Sequence, residues 1–69
     1  MAVIRIRYQG RIHCRAVTRN YRGWYIMVSK GKEYWFNRTE DGWQLINGTS
    51  LPMEFIIQIG EELNKLEGR

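Results

Sequence analysis

Residues 22–38 constrain the fold more than any other stretch, because they read as a β-hairpin. They hold five of the nine aromatic residues of the chain: Trp24, Tyr25, Tyr34, Trp35 and Phe36. Aromatic and β-branched residues favour strands, and a Lys-Gly pair between two such runs favours a turn. We therefore expect one strand over residues 22–29 and a second over residues 32–38.

The register of this hairpin depends on the length of its turn. A three-residue loop of Ser29, Lys30 and Gly31 places glycine where a G1 bulge requires a positive φ. Strand side chains alternate between two faces, so this loop puts the even-numbered residues together. That face carries Trp24, Ile26, Val28, Tyr34 and Phe36. A two-residue turn would scatter the apolar side chains over both faces, so the sequence favours the bulged loop.

Three further runs extend the sheet. Residues 2–8 alternate between apolar and basic side chains, and a second bulged turn at residues 8–10 leads into a strand over residues 11–18. A short fifth strand is expected over residues 43–46, after a turn that contains glycine. Two pairs compete for the core in that strand: Trp43 with Leu45, and Gln44 with Ile46.

A C-terminal helix is predicted over residues 52–66. Proline suits the first turn of a helix, where its missing N–H is not needed. Apolar residues then recur at helical spacing and form one stripe: Pro52, Ile56, Ile59, Leu63 and Leu66. Gly60 lies beside the stripe at a cost of about 1 kcal/mol relative to alanine, and its lack of a side chain would allow the helix to approach the sheet closely.

These elements predict an α+β domain, a five-stranded antiparallel meander with the helix packed across its even-numbered face. The same strands could instead curl into an SH3-like barrel, with the helix closing one end. A chain of 69 residues is expected to form a single domain over residues 1–69. The predicted core consists of Ile4, Ile6, Ile12, Trp24, Ile26, Phe36, Ile56, Ile59 and Leu63.

The charge of the chain is uneven. Residues 1–38 contain nine Lys or Arg and one acid, whereas residues 39–69 contain two Lys or Arg and six acids. In the predicted register, basic and aromatic residues share the outer sheet face. The candidate partner-binding residues are Arg5, Arg7, Arg11, His13, Arg15, Tyr25, Met27 and Trp35. Arginine on an open sheet also solubilises that face and discourages edge pairing, so the pattern alone does not establish a binding site.

Two kinds of partner fit this outer face. Exposed apolar side chains mark protein association, and a two-fold homodimer is its commonest form. Guanidinium groups neutralise phosphates and aromatic rings stack on bases, which favours nucleic acid as the alternative. We expect a small non-catalytic interaction module that binds a protein partner or a second copy, with nucleic-acid binding as the second hypothesis.

The sequence predicts no enzyme, cofactor, metal site or small-molecule substrate. His13 and Cys14 are adjacent on a strand and point to opposite faces, so they cannot act as a catalytic pair. Glu61 and Glu62 diverge by about 100° on a helix, and Asp41 belongs to a turn. No metal-ligand cluster and no glycine-rich phosphate loop occurs.

The compartment follows from cysteine use and hydropathy. Cys14 is the only cysteine, so no internal disulfide can form, which is typical of a reducing compartment. Arginines interrupt every apolar run near the start of the chain, so no signal peptide or membrane span is expected. We predict a cytoplasmic protein without a membrane partner.

The C-terminal third carries one resemblance. Asp41-Gly42-Trp43, Leu51-Pro52 and Ile59-Gly60 follow one another along residues 41–60. This order resembles the C-terminal halves of small uncharacterised bacterial proteins of the β-meander plus C-terminal helix type. The resemblance implies a bacterial origin and a strand, loop and helix in that order. It implies no activity.

Overall fold

The chain folds into an antiparallel sheet followed by one helix in the computed structural model, which describes residues 2–47 and 50–68. The elements are β1 (Ala2–Tyr8), β2 (Arg11–Arg19), β3 (Tyr25–Ser29), β4 (Lys32–Thr39), β5 (Gly42–Leu45) and α1 (Met53–Leu66). The five strands lie in chain order and curl into a half-barrel, with β1 and β5 as its edges. The predicted α+β meander with a C-terminal helix is therefore confirmed, with a curled but open sheet.

The hairpin turns differ from the prediction and reverse the register. Both the β1–β2 and the β3–β4 connections are two-residue turns, since Tyr8 pairs with Arg11 and Ser29 pairs with Lys32. Their central residues all have positive φ: Gln9, Gly10, Lys30 and Gly31. Two-residue turns with positive φ match the right-handed twist of the flanking strands better than turns of types I and II do. The predicted bulged loops were therefore wrong.

Because of the two-residue turns, odd-numbered residues of β3 face the core. Tyr25 and Met27 are buried. Met27 pairs with Tyr34, which was predicted on the inner face, so both side chains lie on that face. Trp24 and Ile26 were predicted in the core but lie half-buried on the outer face. Ile12 was also wrongly assigned, because it is 61% exposed on the outer face of β2.

The core lies between the concave side of the sheet and α1. Its buried members are Ile4, Ile6, Val17, Tyr25, Met27, Phe36, Ile59 and Leu63. In β5 the inward pair is Trp43 with Leu45, both packed against this core. The close approach predicted at Gly60 is present, because a Cβ atom there would lie 3.3 Å from Cδ1 of Trp43.

Element ends differ from the prediction by small amounts, except at β3. Residues 22–24 were expected in that strand but belong to the preceding loop. There the side chain of Asn20 accepts hydrogen bonds from the backbone N–H groups of Arg22 and Trp24, at 2.9 and 3.0 Å. The side chain thereby takes the place of a strand partner, as asparagine commonly does in turns. Over the described residues, no helix is long and apolar enough to cross a membrane.

Candidate binding surfaces

The predicted partner-binding residues do not share one surface. Tyr25 and Met27 lie in the core, so the prediction that they belong to an exposed face was wrong. Its cause is the reversed register of β3. Arg5 and Arg7 lie on the outer face, where Arg7 pairs with Ile12. Trp35 also lies on the outer face, opposite Ile26.

Three basic residues of β2 that were predicted on the outer face lie on the inner side of the sheet, because they alternate with the outward-facing residues of the strand. They are Arg11, His13 and Arg15. Arg15 pairs with Ile4 and donates a 2.8 Å hydrogen bond to Oγ of Ser29. The ring of His13 lies 5.8 Å from that of Phe55 in α1. The basic cluster expected on one face is thus divided between two sides of the sheet.

The outer face carries an apolar surface that no other element covers within the described residues. We call it the outer apolar band, and its members are Val3, Ala16, Ile26, Val28 and Trp35. Ile12 lies on the same face but apart from the band, beyond the pair of Arg5 and Cys14. Val3 pairs with Ala16, and Ala16 pairs with Val28, so the band crosses three neighbouring strands without a break. Val3 is 64% exposed and Val28 is 49% exposed. Aliphatic side chains this accessible in a continuous row differ from the scattered exposed residues normal on a surface.

A row of adjoining aromatic and guanidinium groups continues this surface toward the β2–β3 loop. We call it the aromatic ladder, and it consists of Tyr21, Arg22, Trp24 and Trp35. The ring centroids of Trp24 and Trp35 are 6.0 Å apart. The guanidinium carbon of Arg22 lies 5.1 Å from the Trp24 ring and 5.7 Å from the Tyr21 ring. Tyr21 stands at the exposed end of the ladder, 91% accessible.

The loop that presents the ladder is held by its backbone. The N–H of Asn20 donates to the carbonyl of Trp24 at 2.9 Å, and the N–H of Gly23 donates to the carbonyl of Asn20 at 3.0 Å. Gly23 has a φ of 83°, which favours glycine over other residues. The exposed side chains of Tyr21 and Arg22 therefore project from an ordered turn.

A third surface is a groove between β5 and the N-terminal half of α1. It encloses 650 Å³. Its apolar walls are Trp43, Leu45, Leu51, Met53 and Ile56. We call it the β5–α1 groove. Met53 is 67% exposed and Ile57, on the adjoining turn of the helix, is 54% exposed, so the groove has an accessible apolar rim.

No protein-family model, curated protein or solved structure matches this chain. Function must therefore be argued from these three surfaces. In the part of the chain that the structure describes, no group of His, Cys, Asp or Glu side chains could hold a metal ion.

Few charged side chains of the sheet form ion pairs within the described residues. Among residues 2–47 and 50–68, the ion pair formed is Lys65 with Glu62, at 2.8 Å within α1. The hydrogen bond from Lys65, together with the backbone N–H of Arg5, lowers the pKa of Glu62. The side chains of Arg15 and Arg38 instead donate to neutral acceptors, Oγ of Ser29 at 2.8 Å and Oδ1 of Asn64 at 3.3 Å.

One buried hydroxyl fixes the end of the helix to the sheet. The OH of Tyr25 donates a 2.9 Å hydrogen bond to Oε2 of Glu67. Burial, and then this bond to a carboxylate, raises the pKa of Tyr25. A residue that the sequence suggested for partner binding therefore serves the packing of α1.

Sequence reasoning missed the aromatic ladder and the β5–α1 groove. The signal for the ladder was present in Tyr21-Arg22-Gly23-Trp24, where a guanidinium stands between two aromatic residues next to a turn. The groove had no local signal, because its walls come from residues 43–45 and 51–56, which meet only after the sheet curls.

Proposed function

We propose that the protein is a small non-catalytic interaction module that self-associates through the outer apolar band. The observation that carries this proposal is that α1 covers the inner face of the sheet, whereas the outer face is exposed. Helix α1 packs on the inner face, where Phe36 has 0% exposure, whereas Val3 and Val28 on the outer face remain 64% and 49% exposed. Exposed contiguous apolar surface of this kind is a feature of association sites.

A second copy of the chain fits this face because the band can complement itself. Two half-barrels that meet by their convex outer faces about a two-fold axis along the strands, between β2 and β3, would bring β1 of one copy near β4 of the other. Val3 and Glu33 lie at opposite ends of one row across the sheet, and Arg5 follows Val3 on the same face. The axis would therefore bring Arg5 of each copy toward Glu33 of its partner, which adds charge complementarity to apolar contact.

The proposal extends to the compartment and the source. Cys14 is a free, exposed thiol on the outer face, and such a thiol persists most readily where disulfides do not form. We place the protein in the cytoplasm on this ground. The resemblance of its C-terminal third supports a bacterial source.

Thiol chemistry at Cys14 tests self-association at the surface concerned. Because Cys14 is the only cysteine, a maleimide reagent reports on one position. We expect its reaction rate to fall several-fold as protein concentration rises, since the dimer covers the outer face. The matched control is Lys65→Cys in a Cys14→Ser background, because Lys65 is 75% exposed on the helix. A Cys14 rate that stays constant with concentration, like that of the control, would contradict the proposal.

A second candidate function is binding of single-stranded nucleic acid along the aromatic ladder. The specific observation that favours it is the alternation of rings and a guanidinium from Trp35 to Tyr21. Rings of this kind stack on bases, and arginines without carboxylate partners can neutralise phosphates. The acidic helix lies on the other side of the sheet, where its charge opposes such binding least.

Oligonucleotide titration separates this candidate from self-association. If a base stacks on Tyr21, Tyr21→Ala should weaken binding by about 1–3 kcal/mol, whereas Tyr21→Phe should retain the affinity. The logarithm of the binding constant should fall with the logarithm of salt concentration by about 0.7 for each phosphate neutralised. A labelled oligonucleotide that does not bind micromolar protein at low salt would eliminate the candidate.

A further inference from the structure

The outward backbone groups of the two edge strands, β1 and β5, are covered to different extents. In β1 the residues between hydrogen-bonded pairs are Val3, Arg5 and Arg7, and their backbone groups point away from β2. Helix α1 covers both groups of Arg7 and the N–H of Arg5. The N–H of Arg7 donates to Oε1 of Gln58 at 2.6 Å, while Nε2 of Gln58 donates to the carbonyl of Arg7. The N–H of Arg5 donates to Oε1 of Glu62 at 3.4 Å, so the C-terminal half of β1 offers little to an additional strand.

Strand β5 has no comparable cover in the described part of the chain. Thr39 pairs with Gly42 across a two-residue turn, and Asn37 pairs with Gln44, so Trp43 and Leu45 occupy the positions whose backbone groups point outward. None of the loop, turn or side-chain hydrogen bonds between described residues reaches those backbone groups. The edge thus presents two donors and two acceptors in strand geometry.

The β5–α1 groove runs along this same edge. Its lining includes both Gln44 and Leu45, which are neighbours on opposite faces of the strand, so the groove spans the edge itself. Met53 and Ile56 form the opposite wall, one helical turn apart along α1. An unpaired strand edge facing an apolar helix wall is the arrangement in which extended peptides bind by adding a strand.

The charged residues along the groove indicate what kind of peptide it can bind. The charged residues that line it and its continuation along the helix are Asp41 and Glu61, both acidic. The guanidinium of Arg38 lies 5.7 Å from the Trp43 ring, so this edge carries two acids and one base, whereas the chain as a whole carries a net charge of +4. An apolar peptide that also carries lysine or arginine would complement both the walls and the acids.

We infer that the β5–α1 groove binds an extended peptide segment of alternating apolar and basic residues, which pairs with β5 as a sixth strand. The apolar side chains of the peptide lie opposite Trp43 and Leu45 and enter the groove, since directly paired residues share a face. Its backbone satisfies the outward groups of those two residues. This site is separate from the outer apolar band, so either can exist without the other.

The test uses a defined probe, the acetylated and amidated peptide Lys-Ile-Lys-Val-Lys-Ile, titrated into ¹⁵N-labelled protein. We expect the amide resonances of Trp43 and Leu45 to move downfield and their hydrogen exchange to slow, because both N–H groups gain acceptors. The control peptide has the same sequence with N-methyl groups on its apolar residues, which prevents pairing with β5. It should not produce these changes.

Two protein variants locate the binding site. Met53→Lys places a like charge in the groove and should weaken peptide binding by about tenfold or more. Leu66→Lys makes the same kind of change on the last turn of α1, away from the groove, and should leave the affinity unchanged. Equal binding of the N-methylated peptide, shifts confined to other strands, or no shift at all would each overturn the inference. None of these outcomes bears on self-association, which is measured without peptide.

Discussion

Replacing Met27 with alanine is expected to destabilise the protein by about 2–5 kcal/mol, because it removes a fully buried side chain from a close-packed core. Met27 is 1% exposed and packs among the residues between the sheet and α1. A loss of this size approaches the whole stability of a small domain, which is about 5–15 kcal/mol. Urea denaturation followed by tryptophan fluorescence should therefore show a large fall in the midpoint, or an unfolded variant.

The matched control is the neighbouring position on the other face. Val28 is 49% exposed, so Val28→Ala should cost less than about 1 kcal/mol, the full range of strand propensities. Both variants should be measured at low protein concentration, where the monomer dominates. The reverse order of effects would mean that the even-numbered face of β3 is the buried one and would contradict the register described above.

The elements themselves could be predicted from local sequence. Alternation in residues 2–8, the aromatic run around the Lys-Gly turn and the helical spacing from Ile56 to Leu63 each specify one kind of structure without reference to the others. The close packing at Gly60 was also predictable, because a glycine beside an apolar stripe has few other uses in a helix.

The register could not be predicted because β3 does not alternate. Residues 24–28 read Trp-Tyr-Ile-Met-Val, which is apolar on both faces, so hydrophobicity does not choose between them. The conformation of the β3–β4 turn determines the register instead. Lys30 adopts a φ of 52° beside Gly31 at 77°. The resulting two-residue turn leaves apolar side chains on both faces, the arrangement that the prediction had rejected in favour of a longer loop.

The candidate surfaces depend on that register and on the curl of the sheet. Once β3 reverses, Ile26 moves from the predicted core to the outer apolar band, and Val28 moves there from the predicted inner face. Tyr25 moves from the predicted outer face to the core. The binding hypothesis keeps the outer face of the sheet but changes which residues form it. Which residues form this surface depends on how the strands pair and curl, so no single segment of the sequence specifies it.

The second large effect concerns the outer apolar band. Val28→Lys should weaken self-association by about 100-fold or more, because a two-fold interface receives the new charge twice and must desolvate both copies. The fold should be unaffected, since Val28 points away from the core and lysine can remain in solvent in the monomer. Circular dichroism and denaturation at low concentration would check that the variant is folded.

Ile57→Lys is the matched control for this change. Ile57 is 54% exposed, close to the exposure of Val28, but it lies on α1 rather than on the outer face. Association of the Ile57→Lys variant should equal that of the wild type. An equal loss in both variants would indicate non-specific association of exposed apolar side chains rather than an interface at the band.

A charge exchange tests the orientation of the two copies. Arg5→Glu should weaken association, because it places a carboxylate toward Glu33 of the partner. The double variant Arg5→Glu with Glu33→Arg should recover most of the loss, since the pair is exchanged and not removed. Failure to recover, with both variants folded, would exclude the two-fold axis along the strands while leaving other dimers through the band.

Sedimentation equilibrium of the wild-type protein and the Val28→Lys variant tests the central proposal most directly. From micromolar to near-millimolar concentration, the wild type should move from the monomer mass of 8.3 kDa toward twice that value. The Val28→Lys variant should stay at the monomer mass over the same range. A wild-type protein that remains a monomer at the highest concentration, or a variant that dimerises as well as the wild type, would contradict self-association through the outer face.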